Sequence, residues 1–192
     1  MRRQRQVALL IESSNAYGRG LLHGVVAYMR EHRPWSFYVV EQGRGDPPPA
    51  WLSNWNGDGI IARIENRRIA KAIVESGLPA VDVSAARLVP SLPWVETDDT
   101  RIARLVAEHL LERGFKHFGF CGNARFNWSK WRCSQFQQIL SEHGLSCGIY
   151  QPSADKQQHC ETEIAGIAAW LKKLPKPVGI MACYDIRAQQ VL

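Results

Sequence analysis

The stretch Val7–His32, VALLIESSNAYGRGLLHGVVAYMREH, decides the reading of this chain. Val7 to Ile11 is an apolar run of buried-strand character. It breaks into a polar loop holding Asn15 and Tyr17, after which Leu21, Leu22, Val25, Val26 and Met29 fall on one helical stripe. In open parallel α/β sheets the loops at the carboxyl ends of the strands face the ligand. An amide and an aromatic ring there suit a small polyhydroxylated ligand better than a phosphate. The amide both donates to and accepts from vicinal hydroxyls, and a ring face packs on the C–H surface of a sugar. The same two residues are equally compatible with a simpler reading, in which Asn15 caps the helix and Tyr17 packs.

Working outward, strand and helix signals alternate, as βαβ units and a parallel sheet require. Ser36–Val40 is predicted as a strand, and Gln42–Ala50, with Pro47, Pro48 and Pro49, as an irregular loop. Gly59–Ile64 gives a third strand, and Asn66 caps a helix running to Ser76 that Gly77 and Pro79 close. Ala80–Ser84 and Trp94–Thr97 read as the fourth and fifth strands. Asp98 caps a helix carrying Ile102, Leu105, Val106, Leu110 and Leu111, which Gly114 ends.

At Phe115 the rhythm restarts. Strands are predicted at His117–Gly122, Cys147–Tyr150 and Val178–Cys183, with helices over Lys130–His143, from about Glu161 to Lys173, and from Asp185. The expected architecture is therefore α/β with two parallel-sheet lobes, residues 1–114 and a partial second lobe 115–192. The final helix carries Ile186, Val191 and Leu192 with no stop signal, so the chain reads as truncated.

Composition bounds the function classes. A chain of 192 residues with 45% hydrophobic and 22% charged content is ordinary for a globular protein. No apolar run reaches the ~20 residues of a membrane span, and Val7–Ile11 is too short for a signal core. The five cysteines are scattered, without a CxxC pair, so a cytoplasmic protein is expected. The net charge of +6 permits an anionic partner, but Arg2, Arg3 and Arg5 supply half of that excess as a basic tail. No stretch interleaves aromatic and basic residues as a single-strand platform would.

Catalytic and cofactor motifs fit poorly. Gly18, Gly20 and Gly24 form G-x-G-x-x-x-G, with His23 where a dinucleotide fingerprint needs its third glycine, although Glu41 lies where a ribose-binding acid would. His159 and Cys160 diverge as neighbours on a helix, and Cys133 and Cys147 lack metal-ligand spacing. Ser13 and Ser14 lack a nucleophile elbow and are more simply caps. No enzyme, metal or cofactor is expected. A nucleotide-dependent oxidoreductase or a sugar-modifying enzyme is the competing class.

A more specific constellation follows the strand ends: Asn15 and Tyr17 after the first, Ser84 after the fourth, Trp128 and Arg132 at a helix start, Asp185 and Arg187 after the last. A guanidinium fork and a carboxylate grip adjacent hydroxyls, and a ring supplies the apolar face. Each residue taken singly also has a structural reading, as cap, surface cation or packing ring.

With these residues in place the chain resembles the xylose operon regulatory protein family and, more broadly, lac-repressor-type effector domains and periplasmic sugar-binding proteins. The resemblance is carried by Asn15-Ala16-Tyr17 with Arg19, the WNGDGIIA run from Trp55 to Ala62, Thr97-Asp98, Trp128 with Arg132, and Asp185 with Arg187-Ala188. It implies a periplasmic-binding-protein-like fold sensing a pentose such as xylose. By position, the sugar contacts fall on Asn15, Tyr17, Ser84, Trp128, Arg132, Asp185 and Arg187. Tyr184 departs from the small or amide residue often found before that aspartate.

The family carries an AraC-type DNA-binding domain at its C-terminus, beyond where this sequence stops. The implied partners are a sugar effector, operator DNA reached through that missing domain, and a second copy of the chain in a homodimer, with no membrane. A sugar-binding protein without a DNA role is the alternative. Every helix here reads as a sheet-packing partner, so no helix-turn-helix is expected within these residues.

Overall fold

The computed structural model describes residues 3–32, 34–43, 45–152 and 160–192. Arg2 of the basic tail and His159, weighed above as a metal ligand, lie outside them. The chain divides into compact units between Thr97 and Asp98. That division precedes Gly114, where the strand–helix rhythm restarts, because α3 (Asp99–Glu112) packs along α4 (Asn127–Glu142). Ala103 and Ala107 of α3 are fully buried in the same cluster as Phe136 and Leu140 of α4. Small side chains at that seam let the helix axes approach closely.

In the first unit, β1 (Gln6–Leu10), β2 (Ser36–Val39), β3 (Gly59–Ala62) and β4 (Ala80–Asp82) form a parallel sheet of order β2-β1-β3-β4. Val7 pairs with both Phe37 and Gly59. From Val7 to Ile11 every residue is buried, as expected for a strand covered on both faces. Edge strand β2 is exposed along its length. The core beneath one face gathers Ala8, Leu10, Ile60, Ala62 and Ala80 with Ile73 of α2 (Arg67–Ser76) and Leu52 of a short 3-10 turn, Ala50–Asn54. That turn lies at the end of the stretch read as irregular.

Helix α1 (Ala16–Glu31) begins earlier than its apolar stripe suggests, placing Tyr17 in its first turn rather than in the preceding loop. Leu21, Leu22, Val25, Val26 and Met29 are half-buried. Gly18 is the fully buried position, and a Cβ there would collide with the carbonyl oxygen of Glu12. The missing side chain is what lets α1 start directly against the end of β1.

The predicted fifth strand does not form. Trp94 makes only an isolated parallel bridge to Asp82, through bonds from Asp82 N to the Pro93 carbonyl (2.9 Å) and from Val95 N to the Asp82 carbonyl (2.9 Å). Pro93 has no N–H to extend the ladder.

In the second unit, β5 (His117–Cys121), β6 (Cys147–Tyr150) and β7 (Val178–Ala182) form a parallel sheet of order β6-β5-β7. Phe118, Phe120 and Met181 join Cys133, Phe136, Ile139 and Leu140 in its core. Ile167 of α5 (Cys160–Lys173) is fully buried, and Arg187 of α6 (Asp185–Val191) is 1% exposed. Helix α4 begins at Asn127, before the predicted Lys130, so that Trp128 lies in its first turn.

Candidate functional site

Each unit gathers charged and aromatic side chains at the carboxyl ends of its strands. In the first unit Asn15 is the N-cap of α1, its Oδ1 accepting from Gly18 N at 2.7 Å. Its Nδ2 donates to Oε1 of Glu12, which also accepts from Nη1 of Arg63, in the loop just after β3. The other end of that guanidinium pairs with Glu65, and its carbon lies 4.9 Å from the ring centroid of Tyr17. Tyr17 remains 45% exposed, while the side chains of Glu12 and Arg63 are 7% and 11% exposed. A carboxylate beside the first turn of α1 is favoured by the unpaired N–H groups there. The cap reading of Asn15 is the one these bonds display: one amide atom closes the helix and the other ties it to Glu12.

Ser84 is buried, and its hydroxyl donates to the Ile64 carbonyl at 3.1 Å. Beside it, Asp82 Oδ1 accepts from Ser84 N (2.8 Å) and Ile64 N (3.2 Å). Burial pushes the Asp82 carboxyl above the ordinary aspartate range, outweighing those hydrogen bonds, and its buried Oδ2 has no hydrogen-bond partner among the described residues. This residue pair fastens the ends of β3 and β4 to each other.

In the second unit Arg132 Nε donates to Oδ1 of Asp99 at 2.7 Å and Nη1 to the Cys183 carbonyl at 2.7 Å. The Trp128 ring centroid lies 5.0 Å from the guanidinium carbon, and Trp128 in turn stacks on Phe126 (4.9 Å) and meets Tyr184 edge-on (5.6 Å). Oδ2 of Asp99 is buried, with no hydrogen-bond partner among the described residues. Asp185 is exposed at the first position of α6. Trp128 and Arg132 are thus brought together, with Tyr184 beside them.

Arg187 is placed differently from the strand-end group. Its Nη2 donates to Glu163 Oε1 at 2.6 Å and its Nη1 to Gln190 Oε1 at 2.7 Å, inside the second unit. Its fork, expected to meet a sugar, is taken up here in holding α5 to α6, since a buried guanidinium takes the partners that compensate its lost hydration.

Glu12, Arg63, Asp82 and Asp99 were not singled out by sequence. Two of them left a signal: Glu12 is a charge directly at the end of a buried strand, and Asp99 repeats the aspartate that caps α3. Arg63 and Asp82 left none, because the contacts that tie them to other segments, with Glu12 and Ile64, span 51 and 18 residues.

Among the described residues, no group of His, Cys, Asp and Glu is placed to hold a metal ion. Burial pushes the Cys121 and Cys147 thiols up to about 12 and Cys133 to about 11, the opposite of what a nucleophilic thiolate needs. Among the described residues no helix is long and apolar enough to cross a membrane.

Known proteins share this organisation. Residues 6–100 match the family model of the XylR N-terminal domain, and residues 107–192 that of the periplasmic binding protein-like domain. The xylose operon regulatory protein of Escherichia coli (strain K12) is 26% identical over 99% of this chain and 50% of its own length. Its counterpart from Haemophilus influenzae is 25% identical over 97% of this chain and 50% of that protein. The chain spans about half the length of the curated relatives it matches. A solved structure of a xylose-binding transcription activator, XylR, superposes with a TM-score of 0.83 at 26% identity, covering 100% of this chain and 50% of that one. A periplasmic binding protein/LacI regulator from Alkaliphilus metalliredigens, complexed with D-xylulofuranose, shares the fold at a TM-score of 0.69 and 14% identity, over 98% of this chain and 70% of that chain.

Proposed function

We propose that this chain, a homologue of the xylose operon regulatory proteins over nearly all of its length, is the effector-sensing part of a sugar-responsive transcription regulator. The effector is an unmodified pentose, with D-xylose the first candidate. The observation that carries the reading is the Trp128–Arg132–Asp99 arrangement in the second unit. A tryptophan face stands beside a guanidinium whose orientation is already fixed by a carboxylate and a backbone carbonyl. A preorganised donor costs less ordering on binding, and ring plus fork match the two chemistries of a sugar, its C–H face and its vicinal hydroxyls.

In this reading Arg132 and Asp185 grip hydroxyls and Trp128 stacks in the second unit, while in the first Asn15 and Tyr17 offer an amide and a ring at the strand ends. Ser84 and Arg187 act indirectly, by fixing the segments on which those residues sit. Sugar binding shifts the protein toward the conformation it binds better, and only to the extent of that differential affinity. The relatives' regulatory role makes operator DNA the second partner, contacted as a homodimer through a domain outside these residues. No catalytic step is assigned, and the cytoplasm, where operator DNA lies, is the site of action.

Isothermal calorimetry on the full-length protein tests the reading, with D-xylose, other pentoses, hexoses and NAD as titrants. D-xylose is expected to bind and NAD not to. Arg132→Ala and Asp185→Asn are each expected to weaken binding by about 2–4 kcal/mol, the loss seen when one partner of a desolvated charged hydrogen bond is removed. Sugar affinity unchanged in both variants would sink the proposed site. A gel shift on promoter and scrambled DNA separates a regulator from a protein that only binds sugar.

A further inference from the structure

We infer that Arg63 is a positioning residue for effector binding, acting through Tyr17 and Glu12; this rests on the sugar-sensing reading above. The first unit's strand-end cluster is organised around this guanidinium. One end is paired with Glu12 and the other with Glu65, and the plane between them lies 4.9 Å from the Tyr17 centroid. Its backbone is fixed as well, Arg63 N donating to the Leu10 carbonyl at 2.9 Å, one strand over. A fork held at both ends has little freedom to rotate, so the ring beside it has a defined seat.

That seat matters because Tyr17 is 45% exposed. A half-exposed tyrosine in a first helical turn samples several rotamers unless something holds it, and a ring that must lie against a sugar face pays that ordering on binding. The same guanidinium reaches Asn15 through Glu12, whose Oε1 it shares with the Asn15 amide. Arg63 thus fixes both first-unit side chains proposed to meet the sugar. Lysine in its place would keep one positive charge near the carboxylates but not the planar fork that pairs with both and lies beside the ring.

The test uses the full-length protein and D-xylose, with Arg63→Lys, Tyr17→Leu and the double variant compared with wild type. Arg63→Lys is expected to fold, to melt within a few degrees of wild type, and to bind D-xylose about tenfold more weakly, in keeping with one cation–π contact and its ordering. In the Tyr17→Leu background the same substitution is expected to change affinity less than twofold, because the ring it positions is gone. Without sugar, NMR of tyrosine-labelled protein is expected to show the Tyr17 ring resonances shifted by Arg63→Lys. A purely stabilising ion pair would instead lower the melting temperature, leave affinity unchanged and give the same result in both backgrounds; that outcome overturns the proposal. Unmoved Tyr17 resonances overturn it as well. Wild-type protein that binds no sugar overturns the sugar-sensing reading and this proposal with it, whereas tight binding by wild type and Arg63→Lys alike overturns the proposal alone.

Discussion

In the first unit α1 and α2 begin behind asparagines: Asn15 accepts from Gly18 N at 2.7 Å and Asn66 from Ile69 N at 2.9 Å. In the second unit α4 and α6 begin behind Phe126 and Tyr184, neither of which makes a side-chain capping bond. At these two starts rings pack on each other through Trp128 instead, whereas α3 keeps a side-chain cap, Asp98 accepting from Arg101 N at 2.9 Å. A capping amide works within three residues and so is visible in a sequence. The α2 start is read correctly from its cap, and the α4 start, which has none, is read three residues late, at Lys130 rather than Asn127.

The charged clusters differ in parallel. Each unit sets a guanidinium beside a ring, Arg63 by Tyr17 and Arg132 by Trp128, but the second also buries Arg187 against α5. The largest expected effect breaks this second arrangement. Arg187→Met leaves Glu163 without its partner and is expected to cost about 3 kcal/mol, the low end for a broken buried pair, because Glu163 keeps 22% exposure. Urea-induced unfolding followed by circular dichroism measures it; a loss below 1 kcal/mol would place Arg187 among ordinary surface pairs.

Next in size, Asn66→Ala should cost about 1 kcal/mol and Asn66→Gly only a few tenths, as for an N-cap whose side chain accepts from the third helical N–H. Equal losses for both variants in the same unfolding experiment would argue against the cap as the origin of the α2 start.

A smaller effect concerns Asp82, whose folded pKa is raised above the ordinary value by burial. Between those two values the folded state holds more proton than the unfolded one, so stability is greatest below the ordinary aspartate pKa and falls as pH rises through the raised value. Asp82→Asn should flatten that part of the stability profile; a slope equal to wild type in thermal melts across mildly acidic pH would refute the assignment.

The least change is expected at the thiols. With Cys121 and Cys147 pushed up to about 12, neither should react with a disulfide reagent at neutral pH until the protein unfolds. Rapid labelling of native protein would mean that the second unit's core opens readily.

Much of the candidate site was legible because its residues follow strand ends, a position that a hydrophobic run followed by polar residues marks plainly. Trp128 and Arg132, one helical turn apart, fell together as expected. Arg187 looked equivalent to Arg132 in sequence, both near a helix start, but only three-dimensional packing turns one toward Asp99 and the other into α5. Ser84 likewise sits at the expected strand end, yet its hydroxyl is taken by the Ile64 carbonyl.

The sequence by itself determined the α/β class, the parallel order implied by alternating strands and helices, and most element boundaries, since these rest on periodicity and on caps acting over a few residues. Tertiary structure alone decided that α3 belongs with the second unit, that Trp94–Thr97 stays outside the sheet, and that Arg63 organises the first unit's charges. Each of those outcomes depends on partners far away in the chain, such as Glu12 meeting Arg63 across 51 residues. Local propensity carries no information about such encounters, because they form only once the folded chain brings distant groups together, and for charges only where pairing offsets the cost of their lost hydration.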